Sequence, residues 1–191
     1  MVLSAFNLKP VIDLTDEQFY QLCRANPDVK FERDVTGKIL IMSPSGGITG
    51  NRNFEIGADF GIWNRQAQLG VCFDSSTGFK LPNGATRSPD VAWIEQSRWD
   101  ALTPEQQEKF SPIAPDFVLE LMSPSDTLEE TQAKLREYIE NGVRLGWLVD
   151  RKTHLVEIYR SDQSVEVLEN LIALSGEDVL PQFVLNLAIV W

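Results

Sequence analysis

Histidine, cysteine and long apolar runs are all scarce in this 191-residue chain, and each scarcity removes a class of function. The one histidine, His154, falls at a predicted strand start with no serine or cysteine nucleophile arranged near it, so no catalytic triad is visible; it reads as structural or exposed. The two cysteines, Cys23 and Cys72, sit in apolar-patterned segments without CxxC spacing. They read as buried free thiols, as a reducing cytoplasm allows, and not as a metal or redox motif. No apolar run approaches the roughly 20 residues that span a bilayer, and the start of the chain lacks a basic region followed by an apolar stretch. A soluble, cytoplasmic protein is expected. Basic residues are also in deficit: Lys+Arg 17 against Asp+Glu 28 gives a formal charge of -11. That balance opposes partners bound through phosphates, although carboxylates at a metal centre and cations gathered on one face are compatible with it.

What is present is enough apolar material for one core. Hydrophobic residues make up 43% of the chain, and no repeat, linker or low-complexity stretch interrupts it, so residues 1–191 read as a single domain. A first helix is expected from Thr15 or Asp13 to Asn26-Pro27, with Phe19, Leu22 and Cys23 at helical spacing. Val29 to Arg33 and Ile39 to Ile41 flank turn residues and predict a hairpin. After the loop Ser43-Pro44-Ser45-Gly46-Gly47, the spacing predicts a largely buried helix over Asn51 to Gln68. Short strands follow at Val71 to Asp74, Phe79 to Leu81 and Asp90 to Ile94, then polar short helix around Trp99 to Phe110.

The second half carries the clearest pattern. Phe117 to Met122 is apolar on both faces apart from Glu120, as expected of a central strand. A helix from Thr127 to Asn141 follows, with Asp126 and Glu129 in capping-box positions and Gly142 at its end. Strands at Trp147 to Asp150, Leu155 to Tyr159 and Val165 to Leu168 complete the sheet. The strand-helix-strand unit from Asp116 to Asp150 favours a parallel crossover, and the hairpins supply antiparallel pairs. The fold class is therefore α/β with a mixed α+β character: a central mixed sheet flanked by helices, preceded by an N-terminal helix and hairpin.

Glu120 is the residue that needs a partner. An unpartnered carboxylate in mid-strand would cost several kcal/mol or shift its pKa upward, so a metal ion or a basic side chain, such as Arg52 or Arg87, must meet it. Asp90 stands where the chain enters a strand after Ser88-Pro89; it reads either as a turn residue or as a second acid sharing a cation with Glu120. Mg²⁺ takes oxygen ligands and keeps several waters, so two carboxylates suffice.

Four segments, Arg87-Ser88-Pro89-Asp90, Asp116-Phe117-Val118-Leu119-Glu120-Leu121, Ser123-Pro124-Ser125-Asp126 and Gly146-Trp147-Leu148-Val149-Asp150, together resemble the Uma-type family of proteins described as restriction endonucleases. That family is assigned to the PD-(D/E)XK nuclease superfamily, and the resemblance runs from about Asp13 to Tyr159. It implies a restriction-endonuclease-like fold and an Mg²⁺- or Mn²⁺-dependent endonuclease acting on nucleic acid, DNA in the first place. By the resemblance Asp90 and Glu120 are the acids of the signature, and Glu55 is a further acid completing the metal site. The signature's lysine, two residues after the second acid, is replaced by Met122. Some branches supply it from the following helix, which makes Lys134 the candidate, with Tyr138 one turn on.

Each assignment has a plainer competitor. Glu55 could pair with Arg52 or cap its helix, with Asp59 a rival acid one turn later; Lys134 stands four residues after Glu130, the spacing of a surface ion pair. Lys80 and Arg87 lead into Asp90 and are candidates for phosphate contact. Asp126 is explained as a cap, and Ser43-Pro44 and Ser123-Pro124 as turns. The competing function is a catalytically inactive module that keeps the fold to bind protein or nucleic acid. A homodimer is a further expectation, with the apolar tail Phe183 to Trp191 as either interface or core.

Overall fold

The computed structural model describes residues 2–9, 11–161 and 163–191. The chain opens with β1 (Val2–Phe6) and α1 (Asp16–Ala25), the latter started by a capping box in which Thr15 accepts from the Gln18 amide. The hairpin β2 (Lys30–Arg33) and β3 (Ile39–Met42) follows, then the long helix α2 (Gly47–Ala67). Next come β4 (Gly70–Asp74), β5 (Phe79–Lys80), β6 (Thr86–Arg87), β7 (Val91–Glu95) and two single-turn helices, α3 (Gln96–Asp100) and α4 (Pro104–Glu108). The crossover unit is β8 (Phe117–Leu121), α5 (Leu128–Glu140) and β9 (Leu145–Asp150). The chain finishes with β10 (Leu155–Arg160), β11 (Glu166–Glu169), β12 (Ala173–Ser175), β13 (Val184–Asn186) and a 3-10 turn at Leu187–Ile189.

Two principal sheets result where the sequence pattern pointed to one. The central sheet runs β11-β10-β9-β8-β7-β4, and the smaller runs β1-β3-β2-β6-β5, with β12 and β13 paired alone. Within the central sheet β8 and β9 are parallel and the other pairs antiparallel. The mixed sheet flanked by helices is therefore as expected. Strands β1, β6, β12 and β13 are not among those expected; β6 has two residues and β12 and β13 three each, too brief for alternation to announce them.

Strand alternation divides the core into two layers. One face of the central sheet presents Val91, Trp93, Phe117, Leu119, Leu145 and Trp147 to α2 and to the C-terminal segment. The other presents Ala92, Ile94, Val118, Met122 and Leu148 to Leu135 and Tyr138 of α5. Glu120 belongs to this second face, between Val118 and Met122. The register Val91↔Leu119, continued by one residue, puts Asp90 beside it. Gly146 on β9 lets α5 come down close, since a Cβ there would lie 2.8 Å from Leu135 Cδ1.

Several local expectations change. Helix α2 begins at Gly47, within the expected loop, because Gly46 is extended and acts as N-cap. It buries only Thr49, Ile56 and Phe60 completely, while Phe54 and Ile62 are exposed, so it covers the sheet with one edge. Helix α5 is capped by Thr127, whose hydroxyl accepts from the Glu130 amide at 3.3 Å; Asp126 instead accepts from the Ser123 amide at 2.7 Å. Cys23 and Cys72 are free but only partly buried, and burial pushes their thiols up to about 11 and about 12. His154 is exposed and stacks on Trp191, ring centroids 4.7 Å apart. Among the described residues no helix is long and apolar enough to cross a membrane.

The tail is core. Phe183, Leu185, Leu187 and Val190 are buried against the first layer, with the Phe183 ring 4.2 Å from that of Phe60 and 5.4 Å from that of Trp63. These four side chains are committed to the core, the second of the two readings the sequence left open for the tail, while Val184 remains exposed. Phe183→Ala should cost about 3–5 kcal/mol and lower the urea midpoint with the slope unchanged. Unaltered stability with a halved mass in light scattering would instead make the tail an interface.

Candidate active site

A cleft of about 1130 Å³ opens between the smaller sheet, the start of α2 and the α5 face of the central sheet. Asp90 and Glu120 both line it. The Asp90 carboxylate accepts from the Leu121 amide at 2.8 Å and from Asn53 Nδ2 at 3.2 Å, so β8 and α2 hold it on two sides. Glu120 Oε1 receives Lys134 Nζ at 2.8 Å and the Tyr138 hydroxyl at 3.1 Å, both from α5. The spacing of four residues puts Lys134 and Tyr138 on one helix face, aimed at the same carboxylate.

The structure adds Glu32, which sequence reasoning did not single out. It lies on β2, is 1% exposed, and pairs with Lys134 at 3.0 Å and with Arg87 at 3.2 Å. Its other bond comes from the Ser88 amide at 3.0 Å, two residues before Asp90. Arg87 continues the chain to Glu137 on α5, 2.6 Å away. The only available signal for Glu32 was an acid inside a short strand, and that strand gave no hint of being buried by a second sheet.

These contacts set the protonation chemistry. Burial raises Asp90 above its ordinary value, opposed by the Leu121 amide and by Lys134. Glu120 is pushed up to about 7: burial is the main cause, and the neighbouring Asp90 and Glu32 carboxylates add to it, outweighing the attraction of Lys134. Glu32 goes the other way, down to about 2, because Lys134 and Arg87 together overcome its burial. One ammonium is thus shared by two acids, and Glu32, which has a guanidinium besides, takes the greater benefit. Lys134 is held above its usual value by Glu120 and Glu32 in spite of burial.

The donor set suits a hard divalent cation. Asp90 and Glu120 offer oxygen alone, and Asn53 Oδ1 beside them is buried with no hydrogen-bond partner. Among the described residues no three His, Cys, Asp or Glu side chains converge as a complete cage.

The other sequence candidates fall as follows. Lys134 turns inward instead of pairing with Glu130, whose carboxylate takes the Thr127 hydroxyl at 2.9 Å. Glu55 sits on the exposed side of α2, outside the cleft lining, because α2 turns Ile56 and Phe60 to the core and Asn53 to Asp90. Lys80 is likewise outside, paired with Asp16 in a separate small depression. Arg87 lines the cleft, but its guanidinium is held by two acids. Arg52 meets neither Glu55 nor Glu120; it donates to the Trp191 carbonyl at 3.3 Å.

Comparison with known proteins follows the same line. The chain matches the model of the Uma2 family, described as "Putative restriction endonuclease", over residues 16–188. Among solved structures it is similar to "a putative nuclease belonging to DUF820 from Anabaena variabilis ATCC 29413", with 19% identity over 93% of this chain and 97% of that one and a TM-score of 0.78. At that identity the likeness shows the fold, which is the restriction-endonuclease-like one. Comparison with curated proteins yields no match.

Glu32 yields a test with a definite sign. Its folded pKa lies below the unfolded value of 4.5, so its contribution is present above pH 4.5 and is lost as pH falls toward about 2. The depression corresponds to on the order of 3 kcal/mol. Glu32→Gln should therefore be less stable than wild type at pH 7 by about that amount, and urea unfolding at successive pH values should show the gap closing below pH 4. A gap constant from pH 6 to 3 would contradict the assignment.

Proposed function

The chain belongs to the Uma2 family, and from that premise we propose that it is a divalent-metal-dependent endonuclease hydrolysing nucleic-acid phosphodiester bonds. The observation that carries this reading is the position of Lys134. Met122 leaves the signature position without a cation, and α5 brings an ammonium to 2.8 Å from Glu120, on the strand face shared with Asp90. Asp90 and Glu120 would hold Mg²⁺ or Mn²⁺, which supplies a water of lowered pKa and charge stabilisation at the phosphate. Hydrolysis adds water across one P–O bond: the water oxygen joins phosphorus, and the departing sugar oxygen takes up a proton.

This chain's own residues then have distinct tasks. The Leu121 amide and Asn53 fix the Asp90 carboxylate, and the Tyr138 hydroxyl fixes Glu120 Oε1. Lys134 keeps its proton and sets a positive charge beside the acids, where negative charge grows on the phosphate oxygens. Glu32 anchors that ammonium and, through the Ser88 amide, the segment that delivers Asp90.

One observation favours a second reading, a non-catalytic binding module. Arg87, Glu32, Lys134 and Glu120 form a continuous ion-paired chain in which every charge has a partner without a metal. Mn²⁺ calorimetry separates the two. The catalytic reading expects binding to wild type, none to Asp90→Ala/Glu120→Ala, and retained binding with nuclease activity reduced at least 100-fold in Lys134→Gln. Absence of Mn²⁺ and Mg²⁺ binding by folded wild type would leave the binding module.

A further inference from the structure

Besides Arg87 and Lys134, the cleft is lined by three cations of a different kind: Lys30 on β2, Lys38 just before β3, and Arg151 directly after β9. Arg87 and Lys134 are spent on Glu32, Glu120 and Glu137. Lys30, Lys38 and Arg151 form no direct ion pair among the described residues, although Lys30 is near enough to the Glu32 and Asp90 carboxylates to favour their charged forms. The acids near them are largely committed. Asp34 accepts from the Thr36 amide, the Thr36 hydroxyl and the Lys38 amide at 2.7–2.9 Å, and Glu130 serves Thr127. Asp28 is the acid of the lining without such a bond.

Arg151 is positioned as well as unpaired. One guanidinium nitrogen donates to Thr49 Oγ1 at 3.1 Å, and its Nε is buried without a partner. Thr49 is 5% exposed and belongs to the first turn of α2, so this arginine is braced against a helix wall of the cleft. Lys30 and Lys38 stand on the opposing wall, made by the smaller sheet. The lining contains no Phe, Tyr, Trp or His. Unstacked bases would find no platform there, so any nucleic acid in the cleft must be gripped by its phosphates.

We propose that Lys30, Lys38 and Arg151 are the phosphate-contacting rim of this cleft, gripping a nucleic-acid backbone from two walls around the Asp90–Glu120 pair. The assignment rests on the nuclease reading of the site and names surfaces that reading did not. It also resolves the conflict between a net charge of -11 and a polyanionic partner: the cations that matter are those left unpaired at one mouth.

The test is fluorescence anisotropy of a labelled 20-bp DNA duplex between 20 and 200 mM KCl, in an Asp90→Asn/Glu120→Gln background so that nothing is cut. Lys30→Gln/Lys38→Gln/Arg151→Gln is compared with a charge-matched control, Arg24→Gln/Arg65→Gln/Lys152→Gln, outside the cleft lining. The rim variant should bind at least tenfold more weakly, with the slope of log K against log salt flatter by about 2–3, near 0.9 per lost phosphate contact. The control should change affinity less than twofold. Equal slopes for rim variant and parent, an equal loss in the control, or no duplex binding by the parent at 20 mM KCl would overturn the proposal. A single-stranded 20-mer bound more tightly than the duplex would overturn the phosphate-only grip. Circular dichroism should show every variant folded at the assay temperature, since the rim variant gives up the Arg151–Thr49 hydrogen bond but no ion pair among the described residues. Failure of Mn²⁺ binding with the rim effect intact would sink the catalytic reading alone.

Discussion

The site depends on one buried ammonium. Lys134 sits between Glu32 on the smaller sheet and Glu120 on the central sheet, at 3.0 and 2.8 Å. Removing Lys134 would leave two buried acids without their shared ammonium, a loss of the kind that costs about 3–5 kcal/mol in buried pairs. Replacing the whole group with apolar side chains would remove that desolvation cost, so the network is poorly explained by stability alone. What it does accomplish is positional: it joins α5, both sheets and the segment before Asp90 at one point.

That junction explains why the two sheets are organised as they are. The central sheet and α5 form a strand-helix-strand crossover that buries Tyr138 and Leu135, with Phe79, Leu81 and Ala85 from the side of the smaller sheet completing the layer. The smaller sheet contributes Glu32 and, through β6, Arg87, closing the cleft from the other side. Near α1, Arg33 makes an equivalent tie, donating to the Leu14 carbonyl at 3.0 Å and the Gly84 carbonyl at 3.2 Å and pairing with Asp16. Charged side chains therefore tie the smaller sheet to its surroundings, beside the apolar contacts of Phe79, Leu81 and Ala85.

The cleft is electrostatically asymmetric. Deep inside, burial raises both Asp90 and Glu120, and the Asp90 carboxylate adds to the rise of Glu120. At the mouth, Lys30, Lys38 and Arg151 form no direct ion pair among the described residues. Acid within and base at the mouth is the distribution on which the proposed metal-assisted attack on a polyanion rests, and a strongly acidic chain can hold it because the cations are few and local.

Much of this was legible before any coordinates. Glu120 was marked because one carboxylate interrupts an apolar strand, Asp90 because it opens a strand after Ser-Pro, and Lys134 because its helix follows β8; all three are local patterns with local physical causes. The crossover of β8, α5 and β9 was legible for the same reason, being built from long, strongly periodic segments. Glu32, the commitment of Arg87, the exclusion of Glu55 and Lys80 from the cleft, and the burial of the tail were not. Each depends on which faces meet across more than fifty residues of chain, or on two-residue strands that carry no period. Periodicity determines which way a side chain points from its own element; only tertiary packing decides what it meets there, and at this site the partner determines whether a charge is spent or free.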